Sequence, residues 1–260
     1  MRFNLPVLVY QEKNCVHNHA DEIAQMGKNA LIVTGRNSSK KNGSLDDVIN
    51  ALKSKNIKYT VYDGVEENPS VETVMEAREI GVKAGCDFII GIGGGSPMDA
   101  AKAIGVMIYY KNENKDFLYK SVSNSQSLPV IEVPTTCGTG SEVTTVAVLT
   151  VHNEKTKKSM SHRIFPRMAL VDEKYIKNAP LKVICDTAID ALAHIVESCI
   201  NNNATEYSKM FAKEGLEAWS KFKDVLLGNR EATDEDFHNM MYASTLAGMC
   251  IAHAGTSLPH

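Results

Sequence analysis

In the stretch "DTAIDALAHIVESCI", Asp190 and His194 stand four residues apart. Ala188, Ile189, Leu192, Ala193, Ile195 and Val196 give the stretch a helical apolar pattern, so both side chains project from one face. Glu197 lies three residues further on, on nearly the same stripe. A carboxylate and an imidazole on one face of an apolar helix suit a divalent metal. For an isolated pair of this spacing, a satisfied Asp–His hydrogen bond at the edge of the core is the commoner outcome. Two ligands do not make a site, and the others must come from elsewhere. His260, in the small-residue segment "TLAGMCIAHAGTSLPH", could supply a third.

A second chemistry sits in "FIIGIGGGSPMDAAK", which joins an apolar strand to a helix. Gly93, Gly94 and Gly95 let the backbone approach a ligand without Cβ clashes. Ser96 is the expected N-cap, and Pro97 fits a first helical turn. A helix N-terminus behind such a turn is an anion site, and three consecutive glycines exceed what a tight turn needs. The spacing is neither GxGxxG in a first βα unit nor GxxxxGK[ST]. In "VPTTCGTGSEVT", Thr135, Thr136, Thr139 and Ser141 surround Gly138 and Gly140. Their hydroxyls and the loop amides can bond a ribose, a phosphate or a carboxamide. Such loops are common; this one gains weight by following a buried strand, where open α/β sheets bind ligands.

The elements that must hold these groups alternate in period. "ALIVTG", "IKYTVYDG", "CDFIIGIGGG" and "LPVIEVPTT" read as strands. "SLDDVINALKSKN", with Ser44 as its expected cap, "SVETVMEAREIGVKAG" and "SPMDAAKAIGVMIYY" read as helices. Strand–helix alternation with near-continuous apolar strands implies a parallel sheet covered on both faces. Strand signals stop near Leu181, so an α/β domain over residues 1–180 and a helical one over 181–260 are expected. The 260 residues carry a net charge of -3, which argues against a nucleic-acid binder. Six scattered cysteines without a CxxC pair read as reduced thiols of a cytoplasmic protein. No apolar run approaches the roughly 20 residues of a membrane span.

The motifs "GGGSPMDAAK", "PTTCGTGSEVT" and "DALAHIVE", in that order and spacing, then "AGMCIAHAGTSLPH", resemble the iron-containing (group III) alcohol dehydrogenase family. The resemblance implies a Rossmann-like dinucleotide-binding α/β domain followed by an all-helical domain, with the active site in the cleft between them. It implies that Gly93, Gly94, Gly95 and Ser96 hold the pyrophosphate, with Asp99 near the cofactor. Thr135, Thr136 and Thr139 match cofactor-contacting threonines, and Lys158 is similar in position to a cofactor-side lysine. Asp190, His194 and His260 match three of four metal ligands. The implied reaction is reversible hydride transfer between a small alcohol and NAD(P) at Fe2+, with Zn2+ also accepted, in a homodimer. Cys137 replaces a usual small alanine, and His253 is expected as polar lining.

The family's fourth ligand, in a "PHG"-like segment, has no counterpart, nor has a further histidine near the nicotinamide end. The chain is therefore expected to break off inside the helical domain, to hold metal weakly, to catalyse poorly or not at all, and to expose the apolar segment "TLAGMCIA". After "ALIVTG" no acid occurs until Asp46, while Ser38, Ser39, Lys40 and Lys41 offer hydroxyls and positive charge. That favours NADP over NAD. The rival readings are a glycerol-dehydrogenase-like zinc polyol enzyme, a dehydroquinate-synthase-type lyase, and a cofactor-binding but catalytically incomplete fragment.

Overall fold

A computed structural model describes residues 3–257. The expected strands form, as β2 (Asn29–Gly35), β3 (Lys58–Val65), β4 (Phe88–Gly93) and β5 (Val130–Pro134). Two further strands, β1 (Leu8–Gln11) and β8 (Met168–Val171), flank them in a six-stranded sheet of order β1-β8-β5-β4-β2-β3. Every pairing in it is parallel. A separate antiparallel hairpin consists of β6 (Val148–Val151) and β7 (Thr156–Ser159).

Three of the longer helices belong to this layer: α1 (Ser44–Ser54), α2 (Val71–Ala84) and α3 (Gly95–Tyr109). One apolar cluster joins Leu31, Val33 and Ile89 to α2, α3 and the hairpin. Another joins Ile32, Ile90, Ile92 and Val133 to α1 and the short helices before β2. The sheet is thus covered on both faces, as the strand composition implied. Beyond β8 the described residues contain helices but no strand: α4 (Leu181–Ile200), α5 (Glu206–Lys221) and α6 (Asp234–Ala254) are the long ones. Their shared core includes Ile184, Ile195, Met241 and Ala247, and it continues onto Ala169 and Val171 of β8. The helical layer therefore packs on the β1–β8 side of the sheet.

Two caps differ from expectation. Gly43, with φ of 82°, precedes α1, and the Ser44 hydroxyl donates to Asn42 Oδ1 at 2.7 Å instead of capping. Gly94 occupies the cap of α3, which places Ser96 inside the first turn. The segment "TLAGMCIA" is mostly buried, with Leu246 at 5% and Ala247 and Cys250 at 0% exposure. Exposed large apolar residues occur instead on α4, at Leu181, Ile189, Val196 and Ile200, and on α5, at Tyr207, Met210 and Leu216.

Beneath the sheet's carboxyl end lies an acid that the apolar reading of β5 passed over. Glu132 is fully buried, and neither carboxylate oxygen has a hydrogen-bond partner among the described residues. Its side chain fills the notch beside Gly91, where a Cβ would lie 2.3 Å from Oε2. Burial pushes its pKa well above the ordinary 4.5; Lys102 opposes this and Asp99 adds to it. An acid held neutral in the fold ionises more readily when unfolded. The associated stability is complete below about pH 4.5 and is lost as pH rises towards the folded pKa. Replacing Glu132 by Met should therefore stabilise the fold by about 1–3 kcal/mol, more at pH 8 than at pH 5. Urea denaturation at the two values checks this; a gain that shrinks at pH 8 would count against it.

Candidate functional site

The parallel register brings the carboxyl ends of three strands side by side. Thr34 of β2 pairs with Ile92 of β4, and Gly93 pairs with Pro134 of β5. In sheet order, β2 connects to β3 on one side while β4 lies on the other, which is the kind of switch point where open α/β sheets bind ligands. The two glycine-rich loops leave from this edge and touch each other. Thr135 N donates to Gly93 O at 2.8 Å. A Cβ on Gly94 would lie 3.1 Å from Thr136 Oγ1, and one on Gly95 would lie 2.9 Å from Thr139 Cγ2. Gly93 has φ of 151° and sits against Pro97. The consecutive glycines thus have a structural use besides ligand approach: they admit the second loop. The first-turn amides of α3 still lack intrahelical acceptors, as at any helix start.

Ser96 Oγ accepts from Asn68 N at 3.1 Å, and Asn68 Oδ1 accepts from Lys157 Nζ at 2.8 Å. Lys158 points elsewhere on the hairpin, where it pairs with Glu154 and lies 5.7 Å from the centre of the Tyr119 ring. Alternation along β7 separates the two lysines, and Lys157 is the one linked to the glycine loop. Asp99 Oδ1 accepts from Ser141 Oγ at 2.6 Å and Oδ2 from Val148 N at 2.8 Å. Both of its oxygens are engaged by protein groups. At the end of β2, Ser38 is exposed. Ser39 is buried, with its hydroxyl accepting from Thr34 Oγ1 at 2.8 Å. Lys40 pairs with Asp63 at 2.5 Å.

The second loop runs on to the α4 pair. His194 is buried, and its Nδ1 lies 3.3 Å from Gly138 O. Its Nε2 lies 3.8 Å from Asp190 Oδ1. That spacing is too long for a hydrogen bond, yet two donors so placed can share one ion with bonds of about 2.1 Å. The contact with Gly138 O fixes the far side of the imidazole, as ligating histidines require. A Cβ at Gly138 would lie 2.7 Å from Thr187 O and 3.0 Å from Asp190 Oδ2, so glycine lets the loop close onto α4. Cys137 beside it is buried, its thiol pushed up to about 11 by burial, which makes it an inert packing group.

Glu197 Oε2 accepts from Ser257 N at 2.7 Å, and Asn201 Nδ2 donates to Thr256 O at 2.8 Å. The chain after α6 is therefore tied alongside α4, about one turn from His194. His260 lies outside the described residues, which among themselves hold no cluster of three or more metal-type side chains. His253, expected as lining, stacks on Phe3 at 4.6 Å and bonds Met249 O at 2.8 Å. Among the described residues no helix is long and apolar enough to cross a membrane.

A parallel sheet covered on both faces, with two touching glycine loops beside an Asp–His helix, defines an open α/β protein with a candidate ligand and metal centre. Residues 6–173 match the family model described as iron-containing alcohol dehydrogenase. Residues 184–260 match the C-terminal model of the same family. The chain belongs to the iron-containing alcohol dehydrogenase family. It is 33% identical to the long-chain primary alcohol dehydrogenase AdhA of Thermoanaerobacter ethanolicus, over 89% of this chain and 58% of that one. It is 32% identical to the NADPH-dependent butanol dehydrogenase of Clostridium saccharobutylicum, over 100% of this chain and 66% of that one. It therefore spans about three fifths to two thirds of the length of these relatives. The crystal structure of an iron-containing alcohol dehydrogenase from Thermotoga maritima superposes with a TM-score of 0.92 at 39% identity, over 98% of this chain and 70% of that one.

Proposed function

We propose that this protein is an oxidoreductase that exchanges a hydride between a small aliphatic alcohol or aldehyde and NADP(H), with Fe2+ as its metal. The observation that carries this is the contact of Gly138 with both Asp190 and His194, because it joins the loop pair to the candidate metal centre. Residues 1–180 would bind the dinucleotide and residues 181–260 the metal.

The Gly94, Gly95 and Ser96 amides at the start of α3 bind the pyrophosphate. Thr136 and Thr139, half-exposed on the facing loop, orient the ribose and nicotinamide, and Lys157 adds positive charge through the Asn68–Ser96 link. Asp190 and His194, joined by His260, would hold the metal. The bound metal supplies Lewis acidity towards the alcohol oxygen. The protein's share is to align the alcohol carbon with C4 of the nicotinamide and to exclude water. The name of the Clostridium relative, an NADPH-dependent butanol dehydrogenase, supports both the cofactor and the substrate class. Anaerobic incubation with Fe2+, NADPH and butyraldehyde tests the reading. Slow but metal-dependent NADPH oxidation is the expected result, since only three ligands are assigned; tight NADPH binding without any turnover would contradict the catalytic part.

The cofactor preference follows from the end of β2. Gly35 is the last residue of that strand, and a Cβ there would meet Val65 O at an ordinary 3.5 Å. It is therefore a better place than buried Ser39 to install an acid. Gly35→Asp should bind the ribose 2'-hydroxyl of NADH, repel the 2'-phosphate of NADPH and shift the affinity ratio towards NADH by at least tenfold. Fluorescence titration with both cofactors reads the ratio, and an unchanged ratio would refute the placement.

A further inference from the structure

Lys102 is fully buried on α3, seven residues beyond the first residue of that helix. A buried ammonium is costly unless every proton on it is used. Here its Nζ donates to Ser141 Oγ at 2.6 Å, Ser141 O at 3.0 Å and Val146 O at 2.5 Å. Thr144 Oγ1 lies at 3.5 Å and Asp99 Oδ1 at 3.3 Å. Three donors thus meet three close acceptors, two on Ser141 at the end of the second loop and one on Val146 just beyond it, with a carboxylate alongside. Asp99 completes the clamp from the same helix by accepting from Ser141 Oγ and Val148 N. Burial shifts Glu132 and Glu142 towards their neutral forms, which leaves Asp99 to balance the lysine.

The far side of the loop is held differently. Gly140, with φ of 57°, crosses Gly248 of α6 so closely that a Cβ on it would lie 2.4 Å from the Gly248 Cα. Glu142 Oε1 accepts from Thr245 Oγ1 at 3.0 Å. The loop is therefore fixed by charge on the α3 side and by close backbone contact on the α6 side. Thr136, Thr139 and Gly138 span the gap between the glycine loop and the Asp190–His194 pair.

We propose that Lys102 is a positioning residue that, through Ser141, holds the Thr135–Ser141 loop in the conformation that receives the nicotinamide half of the dinucleotide. The inference rests on the cofactor site proposed above. Lys102 contacts no ligand itself. The adenine half and the pyrophosphate, held at the ends of β2 and β4, do not depend on it.

The test compares two ligands on one protein. NADPH carries both halves, whereas 2'-phospho-ADP ends at the pyrophosphate and lacks the second ribose and the nicotinamide. Calorimetric titration of each into the parent chain, Lys102→Met and Ser141→Ala should separate the halves. Lys102→Met is expected to weaken NADPH binding at least tenfold while leaving 2'-phospho-ADP within about twofold. Ser141→Ala removes only one acceptor and should move the same ratio by a smaller factor, so it decides the matter if Lys102→Met fails to fold. A general loss of structure would lower both affinities together, and a ratio unchanged in the folded variants overturns the inference. Failure of the parent chain to bind either ligand would instead overturn the cofactor site itself.

Discussion

Replacing Gly94 by Val should abolish NADP(H) binding, with at least a hundredfold loss of affinity and little change in the far-ultraviolet circular dichroism. Two effects add. The new side chain covers the first-turn amides of α3, where the pyrophosphate would sit. Its Cβ also starts only 3.1 Å from Thr136 Oγ1 and 3.2 Å from Thr136 Cγ2, so the second loop must give way. The fold should survive because Gly94 is half-exposed at the edge of the sheet and its φ of -79° suits any residue. Fluorescence titration of NADPH checks the outcome. Retained affinity in a folded variant would mean that the three glycines serve only the packing of one loop on the other.

His194→Ala should remove metal-dependent aldehyde reduction to below a hundredth of the parent rate while leaving NADPH affinity within a few-fold. His194 is buried between Asp190 and Gly138 O, and its imidazole is one of two donors that α4 orients towards a common point. Alanine suits the helix and leaves a small gap, so a stability loss alone would be modest. The split between lost turnover and kept cofactor binding is what a metal ligand implies and a packing residue does not. Equal turnover in the variant would move the metal elsewhere.

The sheet strands β2 to β5 and the helices beside them were legible because each is long enough to show its period. The Asp190–His194 pairing was legible for the same reason: four residues on a 20-residue helix fix a common face. The four-residue strands β1 and β8 show no such period; Leu8 pairs with Met168, a partner 160 residues away. Local chemistry misled at the caps: Ser44 and Ser96 are good cap residues, but Gly43, in the left-handed region, and Gly94, packed against Thr136, take those places. Ser39 is oriented into the core by a four-residue helix that the basic composition of "SSKK" concealed. Lys102 could not be read as special, because nothing in "DAAK" reveals that α3 is buried on nearly all sides. The contact of Gly138 with α4 is likewise tertiary.

The central claim is that the dinucleotide loops and the Asp190–His194 pair form one site. It is tested most directly by proton relaxation of NADP+ bound to the protein loaded with paramagnetic Co2+. The nicotinamide H4 should relax far faster than the adenine protons, and Asp190→Ala should remove the difference. Equal relaxation at the two ends of the cofactor, or faster relaxation at the adenine, would contradict the account.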